Sequence, residues 1–89
     1  MLRYHLKIFG QVQGVFFRRS AKLEAERLDV VGWIRNDDDG SVEIMAQGEK
    51  KNVDKFIVWC KKGPPFAQVE NVEIEEQQGL EDFEDFEII

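Results

Sequence analysis

The stretch Gly10-Gln11-Val12-Gln13-Gly14-Val15-Phe16-Phe17-Arg18 carries the residue types of an anion site, two glycines followed by an arginine. Glycine admits tight and left-handed backbone, which turns successive N–H groups to one side as a nest for an anion. Where such a loop runs into a helix, the free N–H groups and the positive end of the helix dipole add to it. Arg18 falls in the first turn of the helix predicted here, where a cation opposes the dipole by about 0.3–1 kcal/mol. A bound anion turns that repulsion into attraction, because the guanidinium fork can hold two of its oxygens. The residue types alone leave a second reading open, in which Arg18 is a solvated helix residue like its neighbour Arg19.

Asn36 is the other candidate. Its carboxamide offers an acceptor and two donors without charge, so it can hold a water without repelling an incoming dianion. An Asn before Asp37-Asp38-Asp39-Gly40 also suits a plain hairpin turn, and both readings stand at this level. His5 sits mid-strand and reads as a sheet residue rather than a general base. Cys60 lies on the apolar side of a helix and reads as a buried thiol rather than a nucleophile. The acids Glu75-Glu76 and Glu81 to Asp85 read as a solvated edge.

The elements that position these residues follow from periodicity. From Leu2 to Phe9, Leu6 and Ile8 alternate with His5, Lys7 and Phe9, the pattern of a strand; Gly10 and Gly14 then bracket a turn-rich stretch. Phe17, Ala21, Ala25 and Leu28 recur at helical spacing among charged residues. Val30 to Arg35 and Val42 to Gln47 read as two strands joined by the polar loop Asn36 to Gly40, a hairpin. Val53, Phe56, Ile57 and Cys60 define a second helix that must stop at Gly63-Pro64-Pro65. Val72 and Ile74 alternate with glutamates, and Phe86 to Ile88 repeats the pattern. The order β-α-β-β-α-β with a short fifth strand predicts an α+β, ferredoxin-like sandwich: an antiparallel sheet with two helices on one face. Residues 1–89 are expected to form one domain.

The segment Gly10-x-Val12-Gln13-Gly14-Val15-x-Phe17-Arg18 resembles the signature of the acylphosphatase family. A second block, Gly32-Trp33-x-x-Asn36 with Gly40, Val42 and Gly48, resembles the family's other pattern, and Gly63-Pro64-Pro65 is similar to a loop of its prokaryotic members. Ile34 and Phe16 stand where the family more often has smaller residues. The resemblance implies metal-free, cofactor-free hydrolysis of the carboxyl–phosphate bond of acyl phosphates to a carboxylate and inorganic phosphate. By the same resemblance, Arg18 binds the substrate phosphate, Asn36 orients the attacking water, and the backbone N–H groups of Gln13, Gly14, Val15, Phe16 and Phe17 form the phosphate cradle. Inorganic phosphate, the product, is then expected to inhibit competitively. The alternative is a non-catalytic domain that binds a phosphate-bearing ligand such as carbamoyl phosphate for a larger protein; an end at Ile89 makes the stand-alone hydrolase the expectation.

Composition narrows the field further. Twelve Lys plus Arg against 18 Asp plus Glu give a net charge of −6 over 89 residues. Such a surface repels nucleic acid and anionic lipid, whose binding depends on Lys and Arg. Strand Ser41 to Gln47 also lacks the aromatics of an RNA-binding sheet. One Cys and one His leave neither a disulfide nor a zinc cluster to build. No apolar run spans a bilayer and the N-terminus lacks a signal-peptide block, so the expected address is the cytoplasm and the expected form a monomer. A chain of this length has little room for a deep cavity, so any site should be shallow. The carboxylates Asp37 to Asp39 are expected to point away from a bound phosphate and to act only through space. Neutralising them should lower KM at low salt with little change in kcat; a KM indifferent to both salt and substitution would refute this.

Overall fold

The alternation at Leu6 and Ile8 produces strand β1 (Leu2–Gln11), an interior strand of the sheet in a computed structural model that describes residues 1–89. Helix α1 (Phe17–Arg27) follows, then β2 (Val31–Asn36), β3 (Val42–Gly48), α2 (Lys50–Lys62), β4 (Gln68–Gln77) and the short β5 (Phe86–Ile88). The sheet order is β4-β1-β3-β2-β5. The first four strands pair antiparallel, and β5 lies parallel to β2. This is the ferredoxin-like α+β arrangement that the element order predicts.

Two boundaries differ from the sequence reading. Strand β1 does not yield to a turn at Gly10: it continues to Gln11 through an irregularity between Phe9 and Gly10 in its pairing with β4. Strand β4 starts at Gln68, ahead of the alternation that signals it, because β1 supplies a partner along its length.

Both helices cover one sheet face. Leu6, Ile8, Ile34, Val42, Ile44 and Ala46 of the sheet meet Phe17, Ala21 and Ala25 of α1 and Val53, Phe56, Ile57 and Cys60 of α2, all buried. Phe86 closes the core under α2, its ring edge-on to Phe56 at 5.6 Å. Phe17 matters most to the loop before it. It is the first residue of α1, 2% exposed, and packs edge-on against Trp59 at 5.5 Å. Burying a Phe side chain contributes about 1.5–3 kcal/mol, enough to fix the start of α1 against the sheet.

The opposite sheet face is a charged lattice. Lys7 and Arg35 flank Glu43 in register, and His5 pairs diagonally with Glu43. His5 therefore belongs to the outer face, away from the helices. Cys60 is fully buried, and burial pushes its thiol pKa upward, as an inert core residue requires. Strand β4 is an edge strand bearing Glu70, Glu73, Glu75 and Glu76. No helix is long and apolar enough to cross a membrane.

Gly32 is obligatory for the β2–β3 pair. Its φ is +139°, and a Cβ there would stand 1.8 Å from the Met45 carbonyl oxygen. Gly32→Ala should therefore destabilise the fold by at least about 1–3 kcal/mol. A denaturant midpoint equal to wild type would contradict this close approach.

Candidate active site

The loop Val12 to Phe16 joins the end of β1 to the start of α1. Two of its residues are left-handed, Gly14 at φ 73° and Phe16 at φ 64°. Such a φ is uncommon for a bulky side chain, and Phe16 keeps it as the N-cap of α1 without any side-chain cap bond. Its carbonyl accepts the first helical bond, from the Ser20 N–H at 3.0 Å. The backbone N–H groups of Gln13, Gly14, Val15 and Phe16 donate to no backbone carbonyl. The first N–H groups of α1 have no intrahelical acceptor either. One short stretch thus concentrates a row of uncommitted donors at the positive end of a helix.

A cleft of about 330 Å³ opens beside this stretch, lined by Val12, Gly14, Phe16 and Phe17 together with Arg18, Arg19, Asn36 and Ile88. Arg18 and Asn36, far apart in sequence, share it. Asn36 comes from the last residue of β2, and its Oδ1 is buried without a hydrogen-bond partner. A buried acceptor left unpaired costs about 1–3 kcal/mol, so packing alone does not account for Asn36 at this position. Neither Arg18 nor Arg19 has a carboxylate partner, whereas Arg3, Arg27 and Arg35 are all paired. In a chain of charge −6, two free guanidiniums on one cleft form a local positive well.

Of the residues singled out by sequence, Gly14, Phe16, Phe17, Arg18 and Asn36 line the cleft, while Gln13 and Val15 do not. Val15 packs against the core. The Gln13 side chain turns to the hairpin, where its Nε2 donates to the carbonyls of Asp37 at 2.8 Å and Ser41 at 2.9 Å. Two lining residues were not predicted. Arg19 has the same charge and neighbourhood as Arg18, and sequence gives no means to tell which faces the cleft. Ile88 arrives through the parallel pairing of β5 with β2, opposite Ile34. A larger hollow of about 780 Å³ lies between α1 and the Gly63–Pro65 loop. Its arginine, Arg27, is already paired with Glu24, which leaves Lys62 as its one unpaired cation against Arg18 and Arg19 on the smaller cleft.

The three aspartates do not line the cleft. Asp37 pairs with Arg35 at 3.3 Å and Lys7 at 3.7 Å, and Asp39 pairs with Lys7 at 3.1 Å. Asp39 also accepts from the Ser41 hydroxyl at 2.5 Å and the Ser41 N–H at 3.0 Å. Two of the three acids are thus fasteners of the turn that follows Asn36, and the through-space effect expected of the triad narrows to Asp38. The Ser41 hydroxyl and N–H, with Lys7, hold the Asp39 carboxyl down to about 2 from an ordinary 3.8. A depressed folded-state pKa adds stability that is present above the unfolded value and lost as pH falls through the folded one. Acid unfolding of the wild type should therefore include a loss between pH 3.8 and about 2 that Asp39→Asn flattens. Superimposable acid limbs for the two proteins would contradict it.

Known proteins share this fold. The acylphosphatase family model matches residues 4–88. An acylphosphatase from Thiobacillus denitrificans is 52% identical over 79 residues, covering 89% of each chain. The crystal structure of acylphosphatase from Bacillus subtilis superposes with a TM-score of 0.97 at 38% identity, covering 100% of this chain and 99% of that one. Full-length HypF, in its phosphate- and nucleotide-bound form, contains a similar unit: TM-score 0.87 and 25% identity over 99% of this chain but 12% of HypF. With the family model matched over residues 4–88 and the fold shared over nearly the whole length, the chain belongs to the acylphosphatase family.

Proposed function

We propose that the protein hydrolyses the carboxyl–phosphate bond of acyl phosphates, releasing a carboxylate and inorganic phosphate. The observation that carries this reading is the convergence on one cleft of Asn36, the unpaired Arg18 and the uncommitted N–H groups before α1. The N–H groups of Gln13 to Phe17 and the Arg18 fork receive the phosphoryl oxygens. Asn36 orients a water through its carboxamide so that a lone pair of the water points at phosphorus, and the P–O bond to the carboxylate breaks on the opposite side.

Each step suits these groups. The leaving carboxylate is weakly basic, so departure needs no general acid. A loose phosphoryl-transfer transition state is stabilised by positioning and by charge on the equatorial oxygens, which a guanidinium and oriented N–H dipoles provide. The cleft has no carboxylate or imidazole to accept the water's proton or to hold a metal. The basic atom nearest that proton is then a phosphoryl oxygen of the substrate. Attack by water balances without any further reactant: O–H breaks, P–O forms, and the carboxylate leaves with the electron pair of its P–O bond.

HypF, of which a similar unit forms 12%, was solved with phosphate bound, and the second reading is a domain that binds a phosphate-bearing ligand without turning it over. An assay with a model aryl acyl phosphate in the presence of chelator separates the two. Wild type should turn over, and Arg18→Gln and Asn36→Ala should each lose about 10²–10³-fold in kcat, the usual cost of one oriented donor. Arg18→Gln should also lose competitive inhibition by phosphate, while Asn36→Ala should retain it. A wild type that binds phosphate but leaves the acyl phosphate intact would establish the second reading instead.

A further inference from the structure

The two halves of the proposed site come from different parts of the chain. The N–H cradle belongs to the loop before α1, and Asn36 to the end of β2. Hydrolysis by in-line attack requires the water to stand at a fixed distance and angle from phosphorus, so these two units must hold a constant register. Misplacement by an ångström costs on the order of a hundredfold in rate.

One side chain links them by hydrogen bonds. Gln13 supplies a backbone N–H to the proposed cradle, and its carboxamide crosses to the turn immediately after Asn36. Both Nε2 hydrogens are used, one on the Asp37 carbonyl at 2.8 Å and one on the Ser41 carbonyl at 2.9 Å. Those carbonyls also bond within the turn, accepting from the Gly40 N–H at 3.1 Å and the Asp37 N–H at 2.9 Å. The carboxamide therefore grips the two ends of a turn that is already closed. On its other side the turn is held by Lys7 and Arg35 through Asp37 and Asp39. A turn so fastened transmits the position of Gln13 to its neighbour Asn36 rather than flexing.

We infer that the Gln13 side chain is a positioning residue: it sets the register between the phosphate cradle and the water-holding Asn36, and acts on turnover through Asn36 rather than through phosphate binding. This rests on the hydrolytic reading above. It concerns a part of Gln13 that the cradle does not use, since any side chain at position 13 leaves the backbone N–H in place.

Gln13→Met tests it. Methionine keeps the length and bulk of the side chain and removes both donors. Each carbonyl keeps its bond within the turn, so no buried acceptor is stranded and the fold should survive. Three quantities are measured: kcat on a model aryl acyl phosphate, the inhibition constant of inorganic phosphate, and the thermal midpoint. The expected result is a fall in kcat of about tenfold to a hundredfold, with an unchanged phosphate inhibition constant. In an Asn36→Ala background the same change should add nothing further to the loss, because the group it positions is gone.

Wild-type kcat in a folded Gln13→Met would overturn the inference. So would a parallel loss of phosphate affinity, which would mean that the cradle itself had collapsed, or an undiminished penalty in the Asn36→Ala background. An inactive wild type would instead refute the hydrolytic reading and the inference with it, an outcome distinct from a clamp that proves dispensable in an active enzyme.

Discussion

Backbone N–H groups left without acceptors are expensive in a folded protein, and here four consecutive residues, Gln13 to Phe16, leave theirs uncommitted to the backbone. The surrounding structure depends on that constraint. Phe17 anchors the far end of the loop in the core, so the loop cannot relax into an extra turn of α1. Strand β1 anchors the near end through its pairing with β4, which runs to Gln11. Between these anchors the left-handed Gly14 and Phe16 keep the chain from forming an ordinary i to i+4 ladder. The strain at Phe16, an exposed aromatic at positive φ, is consistent with a conformation maintained for binding rather than for packing.

The charge distribution follows the same division. An acidic chain does not lower its repulsion for phosphate by removing carboxylates, but by keeping particular ones occupied. Glu43, Asp37 and Asp39 face His5, Arg35 and Lys7 on the outer sheet face, while Arg18 and Arg19 at the cleft are left without acids. The result is a small positive region in a negative field, suited to one small anion and unsuited to a polyanion.

Much of this was legible in the sequence, for identifiable reasons. Periodicity gave the helices and strands because each buries one face, and Gly63-Pro64-Pro65 gave the end of α2 because proline cannot extend it. Arg18 and Asn36 could be singled out because their chemistry is unusual for their positions and because two spaced blocks resembled a known family. What could not be read came through pairing. Ile88 reaches the cleft only because β5 runs parallel to β2. The role of Asp37 and Asp39 depends on Lys7, which the β1–β3 register brings beside them. The Gln13 carboxamide could not be separated from its backbone in sequence, since a side chain that bonds two carbonyls looks the same as one in solvent. Gly10, read as the start of a turn, continues a strand because β4 pairs across it.

Strand β4 carries a consequence for how this molecule reaches its native state. Its only partner is β1, with Ile74 opposite Leu6, so the pairing must close a loop holding most of the chain. Contacts of such sequence separation form slowly. In the folded sheet this ten-residue strand keeps its outer edge open to other chains. Its glutamates repel an identical strand laid beside it, and such charge is a recognised guard against edge-to-edge aggregation. The acidity that looks like a handicap for a phosphate site thus also guards the open edge of the sheet.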